Sequence, residues 1–249
     1  MVKLRKIFFV LFMVYTTHLF GIVSYPDWFL FPNNYPNTTV GYSYGGYPAM
    51  IDAERNYCVF DECIAAGVLY RFQDYDQKNS DYYYFFSPDS LENIKDKLNE
   101  ASSFITNIVG DEYIKLFSTD DSMNINSQYI SLENSTAPMW VSKKPFFQDN
   151  QYYYGIGEYQ SRGNENDAWK TAEEQALFEI MTNLAVNFYS VNLFGMDENE
   201  SNYEFATAIR VKYKFNNIQI MQRWIDLEKK YYFVLIRVNK FDVFSPFMH

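Results

Sequence analysis

Two glycines stand in the strand-like run Tyr152 to Tyr159, and a stripe of alanines at helical spacing follows them. Gly155-Ile156-Gly157 lies inside this aromatic stretch. A polar loop comes next, with capping residues between Asn164 and Asp167. Ala168, Ala172, Ala176, Ile180 and Leu184 then recur at helical spacing. Small residues on that stripe let the helix lie close to a sheet, and the glycines permit tight approach or a bulge. A chain with this feature is constrained to a layered fold in which a helix packs on strands.

The remainder reads as completions of that unit and of a weaker copy before it. From Tyr203 the period changes to two: Tyr203, Phe205, Thr207, Ile209, Val211, Tyr213 and Phe215 alternate with Glu204, Arg210, Lys212 and Lys214. Turns at Asn216-Asn217 and Glu228-Lys229-Lys230 set off two more strands, Ile218 to Trp224 and Tyr231 to Val238. The expectation is a helix followed by a three-stranded antiparallel meander. Earlier, a short strand near Thr39 to Tyr44 and a Gly45-Gly46 turn precede a helix expected from Pro48 to Ala66 and closed by Gly67. Val68 to Phe72 and Tyr82 to Phe86 read as a hairpin. A second helix is expected from Ser87-Pro88 to about Val109, then a strand from Tyr113 to Phe117. The fold class expected is α+β: two related units, 24–130 and 138–249, each with helices packed on an antiparallel sheet, joined by a linker at 131–137.

Charge and compartment follow from the N-terminus. Lys3, Arg5 and Lys6 precede an apolar run from Ile7 to Tyr15, with small residues (Gly21, Ser24) after it. That is the pattern of a secretory signal over 1–23, too short for a confident membrane span; an uncleaved anchor is the alternative. Removing the signal takes three positive charges away, moving the net charge from -10 to -13. A chain this acidic is a poor partner for nucleic acid or anionic lipid. No cysteine ends the apolar run, so no lipid anchor is evident.

Catalytic and metal chemistry find no support in the sequence. Two Cys (Cys58, Cys63) and two His (His18, His249) form no metal pattern, and a Cys58–Cys63 bridge requires the helix to end near Val59. Gly155-x-Gly157 lacks the third glycine of a dinucleotide fingerprint, since position 160 is Gln160. Glu173, Glu174 and Glu179 read as a solvated helix face. No catalytic, cofactor-binding or metal residue is assigned. Trp28 and Trp140, at equivalent places before their strands, read as core plugs or as stacking surfaces. Tyr153 stands for the outward Tyr of its run, and Arg210, Lys212 and Lys214 form the only basic stripe. These six are the candidate partner-binding residues.

Pro138-x-Trp140, Gly155-Ile156-Gly157, the Ala168/Ala172/Ala176 helix and Trp224-x-Asp226 with Tyr231-Tyr232-Phe233-Val234 together resemble the LPP-twenty lipoprotein family. The resemblance covers Ala137 to Phe241, with a degraded copy at Pro26-x-Trp28, Val40-Gly41 and Ala49/Ala53. It implies a bacterial envelope protein with a helix on an antiparallel sheet, and offers no catalytic residue to carry over. The functional expectation is an exported, non-catalytic envelope protein at the periplasm or outer membrane. It would bind another envelope protein or a cell-wall component, and self-association is admitted. The alternative is a secreted glycan or small-molecule binder using a Tyr/Trp surface.

Overall fold

The structure is a computed structural model that describes residues 24–71, 80–108, 110–120, 125, 127–133, 135–193 and 207–245. At 68–71, 80–83, 185–193 and 207–211 only the backbone is described. The expected signal, 1–23, and both histidines lie outside the described residues.

In chain order the elements are β1 (Ser24–Pro26), α1 (Asp27–Leu30), β2 (Thr38–Tyr42), α2 (Ala49–Asp61), β3 (Glu62–Arg71), β4 (Ser80–Phe85), α3 (Pro88–Ile94), β5 (Asn99–Asn107), β6 (Glu112–Ser118) and β7 (Tyr129–Ser131). A 3-10 turn, Met139–Ser142, leads to β8 (Phe146–Gln148), β9 (Tyr152–Gln160), α4 (Glu165–Leu193), β10 (Thr207–Asn216), β11 (Gln219–Asp226), β12 (Tyr231–Asn239) and β13 (Val243–Phe244). The fold is α+β, with antiparallel sheets β2-β6-β5, β11-β12-β9-β8 and β13-β10-β3-β4, and a small β1-β7 ribbon.

The glycine and alanine pattern does what its spacing demands. A Cβ on Gly157 would stand 1.8 Å from the Ala172 carbonyl oxygen, and one on Gly155 would stand 1.9 Å from that of Ala176. Helix α4 therefore sits on β9 with backbone against backbone. The same contact occurs in the first half, where a Cβ on Gly41 would lie 2.0 Å from the Ala49 carbonyl oxygen. Strand order matches as well. In β2-β6-β5 and in β9-β12-β11, the strand before the helix pairs with the last strand, which pairs with the one before it.

Three expectations are corrected. Helix α2 ends at Asp61 rather than at Gly67, and β3 begins at once. Cys63, Ala65 and Gly67 are buried on alternate positions, a period of two that overrides the helical reading. The second helix stops at Ile94: Asp96 takes a left-handed φ of 64°, and 99–107, with β-branched Ile105 and Thr106, runs on as β5. The meander is not one. Strand β10 leaves its neighbours in sequence and pairs with β3 over ten residues, from Thr207↔Arg71 to Asn216↔Glu62, while β11 and β12 join β9. A corner explains the departure. Asn217, at φ 53°, and Ile218 donate their N–H groups to the carbonyls of Asp61 and Phe60, 2.8 Å each. Those are orphan carbonyls at the end of α2, so the turn that sends β10 away also caps a helix of the other half.

A continuous core crosses both halves. Trp169 at the start of α4 meets Phe29 (5.2 Å between ring centroids) and Tyr25 (5.8 Å) edge-on from one side, and Tyr232 (4.8 Å) from the other. The 131–137 stretch packs rather than hangs free: Leu132 is buried, and Ser135 accepts a hydrogen bond from the Trp224 indole at 3.2 Å. No helix among the described residues is long and apolar enough to cross a membrane.

Candidate functional site

A cleft of about 490 Å³ opens between the halves. One wall is the irregular segment from Pro32 into β2, a second is the C-terminal turn of α2 with Tyr57, Phe60 and Asp61, and a third is the 217–220 corner. Glu173 of α4 and Arg223 of β11 form its base. The wall before β2 is irregular for a local reason. Pro32 and Pro36 supply no backbone donors, and Asn37 takes a left-handed φ of 59°, which Asn tolerates.

The base is a buried ion pair. Glu173 is 7% exposed and Arg223 1%. Arg223 donates from Nε at 3.0 Å and from Nη2 at 2.6 Å to Glu173 Oε1, and the Tyr42 hydroxyl donates to the same oxygen. Arg223 Nη1 donates to the Phe29 carbonyl at 2.6 Å, and the guanidinium lies 4.4 Å from the Phe29 ring centroid. Burial holds the Tyr42 hydroxyl well above its ordinary pKa, so it stays a donor. The second oxygen of Glu173 takes no hydrogen bond among the described residues.

Beside the base, α2 shields the open edge of β2. Asp52 Oδ2 accepts from the Tyr42 N–H at 3.0 Å, and Asn56 Nδ2 donates to the Val40 carbonyl at 2.9 Å. Lys170 of α4 donates to Asp52 Oδ1. An edge strand with its polar groups taken in this way offers no ladder to a foreign strand there. Thr39 differs. It is 6% exposed, lines the cleft, and its hydroxyl has no partner.

Nucleophilic chemistry has little material in this cleft. Cys58 and Cys63 are buried thiols without a disulfide, and burial pushes Cys63 up to about 12. Among the described residues no cluster of His, Cys, Asp or Glu is built to hold a metal ion.

The expected binding residues fall elsewhere. Trp28 is 0% exposed, packed edge-on against Phe29 and Phe104, and presents nothing to a partner. Trp140 is 8% exposed; it covers the outer face of the β11-β12-β9-β8 sheet and donates from Nε1 to Gln222 Oε1 at 2.7 Å. Tyr153 has the same parity on β9 as Gly155 and Gly157, so it faces the α4 side, under Lys240 at 5.1 Å. Its neighbours Tyr152 and Tyr154 take the other face, with Arg237 over the first at 4.4 Å and Phe147 stacked on the second at 4.7 Å. Lys212 is exposed, and Lys214 pairs with Glu62 at 2.9 Å. The side chain of Arg210 lies outside the described residues; its backbone pairs with Val68.

Glu173 was expected on a solvated face and is instead the base of the cleft. The signal was present: Trp169, Glu173, Leu177 and Ile180 form a second stripe of α4, so its carboxylate lies within an apolar row. Arg223 likewise occupies an inward position of β11.

The chain matches no model of a protein family, no curated protein and no solved structure.

Proposed function

We propose that the chain is an exported, non-catalytic protein of the bacterial cell envelope, built from two related α+β units, and that it recognises its partner at the cleft where they meet. The cleft carries this reading. It opens to solvent, yet the charged groups at its base are committed to holding the two halves together.

The duplicated architecture draws support from the common strand order and from the matching glycine contacts of Gly41 and Gly157. Strands β3 and β10 follow the helix in each unit and pair antiparallel with one another, as a pseudo-two-fold axis requires. The proposed units are 24–130 and 138–249, with 131–137 packed between them. Export rests on the signal pattern of the first 23 residues, and the envelope rests on the resemblance to the LPP-twenty family. The partner is another envelope protein or a cell-wall component.

Cell fractionation with crosslinking and mass spectrometry on the native protein tests the reading. A mature N-terminus near Gly21 to Ser24, with crosslinks from residues around the cleft to envelope components, is the expected result. An intact N-terminus in a cytoplasmic fraction sinks the envelope assignment.

A further inference from the structure

We propose that the outer face of the β11-β12-β9-β8 sheet carries a docking strip for an acidic segment of a partner protein, with Lys143 and Arg237 as its charged anchors. The choice of a protein as the occupant rests on the reading of the cleft as a recognition site.

One row of side chains crosses the whole sheet. Gln219 of β11 is in register with Arg237 of β12, Arg237 with Tyr154 of β9, and Tyr154 with Phe147 of β8, so all four stand on one face. The Phe147 and Tyr154 rings stack at 4.7 Å, 3° from parallel. Lys143 Nζ lies 4.3 Å from the Phe147 centroid, on the ring face that Tyr154 does not occupy. At the other end Arg237 lies 4.4 Å from the Tyr152 ring and donates from Nε to Gln219 Oε1 at 2.8 Å. A short ladder of rings is thus capped by a cation at each end. Trp140 covers the same face further along β11, at Gln222, and the row itself stays open: Lys143 is exposed, and Phe147, Tyr154 and Arg237 are half-buried.

Charge points to the partner. Neither cation pairs with a carboxylate among the described residues, although the chain has a net charge of -10. A ring attracts a cation without neutralising it, and an arginine fork suits a carboxylate. One acid borders the row, Asp149. It is held by the N–H groups of Gln151 and Tyr152 and by the Tyr154 hydroxyl, with Lys240 acting on it, so its charge is answered in place. Phe147 and Arg237 stand two strand intervals apart, roughly 10 Å, with Lys143 beyond the ring. An extended segment rises about 3.3 Å per residue, so carboxylates three or four residues apart reach both cations. An anionic glycan is less well served, because both faces of Phe147 and one face each of Tyr154 and Tyr152 are already occupied. Gln219 also lines the cleft, so a protein seated there meets the strip at the rim.

The test is fluorescence anisotropy on the full chain with labelled oligoglutamate as the probe. Labelled polygalacturonate and flotation with phosphatidylglycerol vesicles supply the anionic glycan and lipid arms. Oligoglutamate should bind saturably, and more weakly as salt rises. Arg237→Gln should weaken it about tenfold, and Lys143→Gln should weaken it by a smaller factor. Lys229→Gln, in the turn at the far end of β11 and β12, should change nothing. Lys143 is exposed, so its variant keeps the test intact if Arg237→Gln folds poorly. Silence from oligoglutamate overturns the proposal, as does binding indifferent to both Arg237→Gln and Lys143→Gln. Vesicle or polygalacturonate binding lost in those variants, with oligoglutamate silent, replaces it with a lipid or glycan site. Oligoglutamate silence leaves a partner crosslinked at the cleft standing, and a cytoplasmic location leaves oligoglutamate binding standing, so the two readings fail separately.

Discussion

Arg223 of β11 donates twice to one oxygen of Glu173 on α4, and its third contact, to the Phe29 carbonyl, ties that pair to the first half of the chain. Three segments distant in sequence therefore meet at one guanidinium. Arginine is suited to the position because its rigid fork serves several acceptors in different directions.

Breaking that pair from one side should be costly. Glu173→Ala or Arg223→Ala leaves an uncompensated buried charge, and each should lose about 3–5 kcal/mol of stability in denaturant titrations. The double variant Glu173→Leu/Arg223→Met should lose less than either single variant, because it removes both charges. A double variant as unstable as the sum of the singles would show that the pair is not coupled as described.

The helix–sheet contact gives a sharper contrast. Gly157→Ala drives a methyl into the Ala172 carbonyl, which is backbone and cannot step aside, so a loss of about 3 kcal/mol or more is expected. Gly163→Ala meets nothing within 4 Å and should stay within about 0.5 kcal/mol of the parent. Thermal melts of the two variants compare them directly.

Glu165 should make stability depend on pH. Burial pushes its carboxyl up to about 7, against the pull of the Tyr25 hydroxyl and Lys230, with Glu112 adding to the rise. The acid binds its proton more tightly folded than unfolded. Its contribution is thus complete below about 4.5 and disappears as pH rises through about 7. The magnitude is on the order of 3 kcal/mol at most, discounted because the group is partly open to water. Glu165→Gln should flatten the stability profile between those two pH values. An unchanged slope in the variant would remove Glu165 as its source.

Separating the halves should expose strands built to be paired. Residues 24–137 or 138–249 expressed alone carry β3 or β10 without its mate, and each should aggregate or pair with a second copy. Co-expression should recover a 1:1 complex, visible by size-exclusion chromatography with light scattering. Two monomeric, fully soluble halves would refute the proposed pairing of units.

The helix on the sheet could be read from the sequence because glycine opposite alanine has one geometric meaning: small residues where backbones meet. The strand content was also legible, from period two at β10 and from aromatic and β-branched runs at β6, β9 and β12. What misled was the assumption that neighbours in sequence are neighbours in a sheet. Tyr213 and Phe215 alternate correctly for a strand, but nothing in that alternation reveals that the partner is Cys63 and Ala65 rather than β11. The site was hidden for a similar reason. Thr39, Phe60, Glu173 and Arg223 come from four separate elements, and only tertiary packing brings them together. Tryptophan before a strand reads equally as a core plug or a stacking surface, and Trp28 and Trp140 are both buried.

Strand β3 lies in the first third of the chain, and the residues that pair with it follow the longest helix. During synthesis Glu62 to Arg71 must therefore wait, with one edge unpaired, until Asn216 to Thr207 has been made. Local contacts reward the early residues with β2 on α2, but the central sheet closes only when nearly the whole polypeptide is present. A protein assembled in this order is vulnerable while incomplete, and one carried unfolded across a membrane before closing would be spared that interval on the side where it is made.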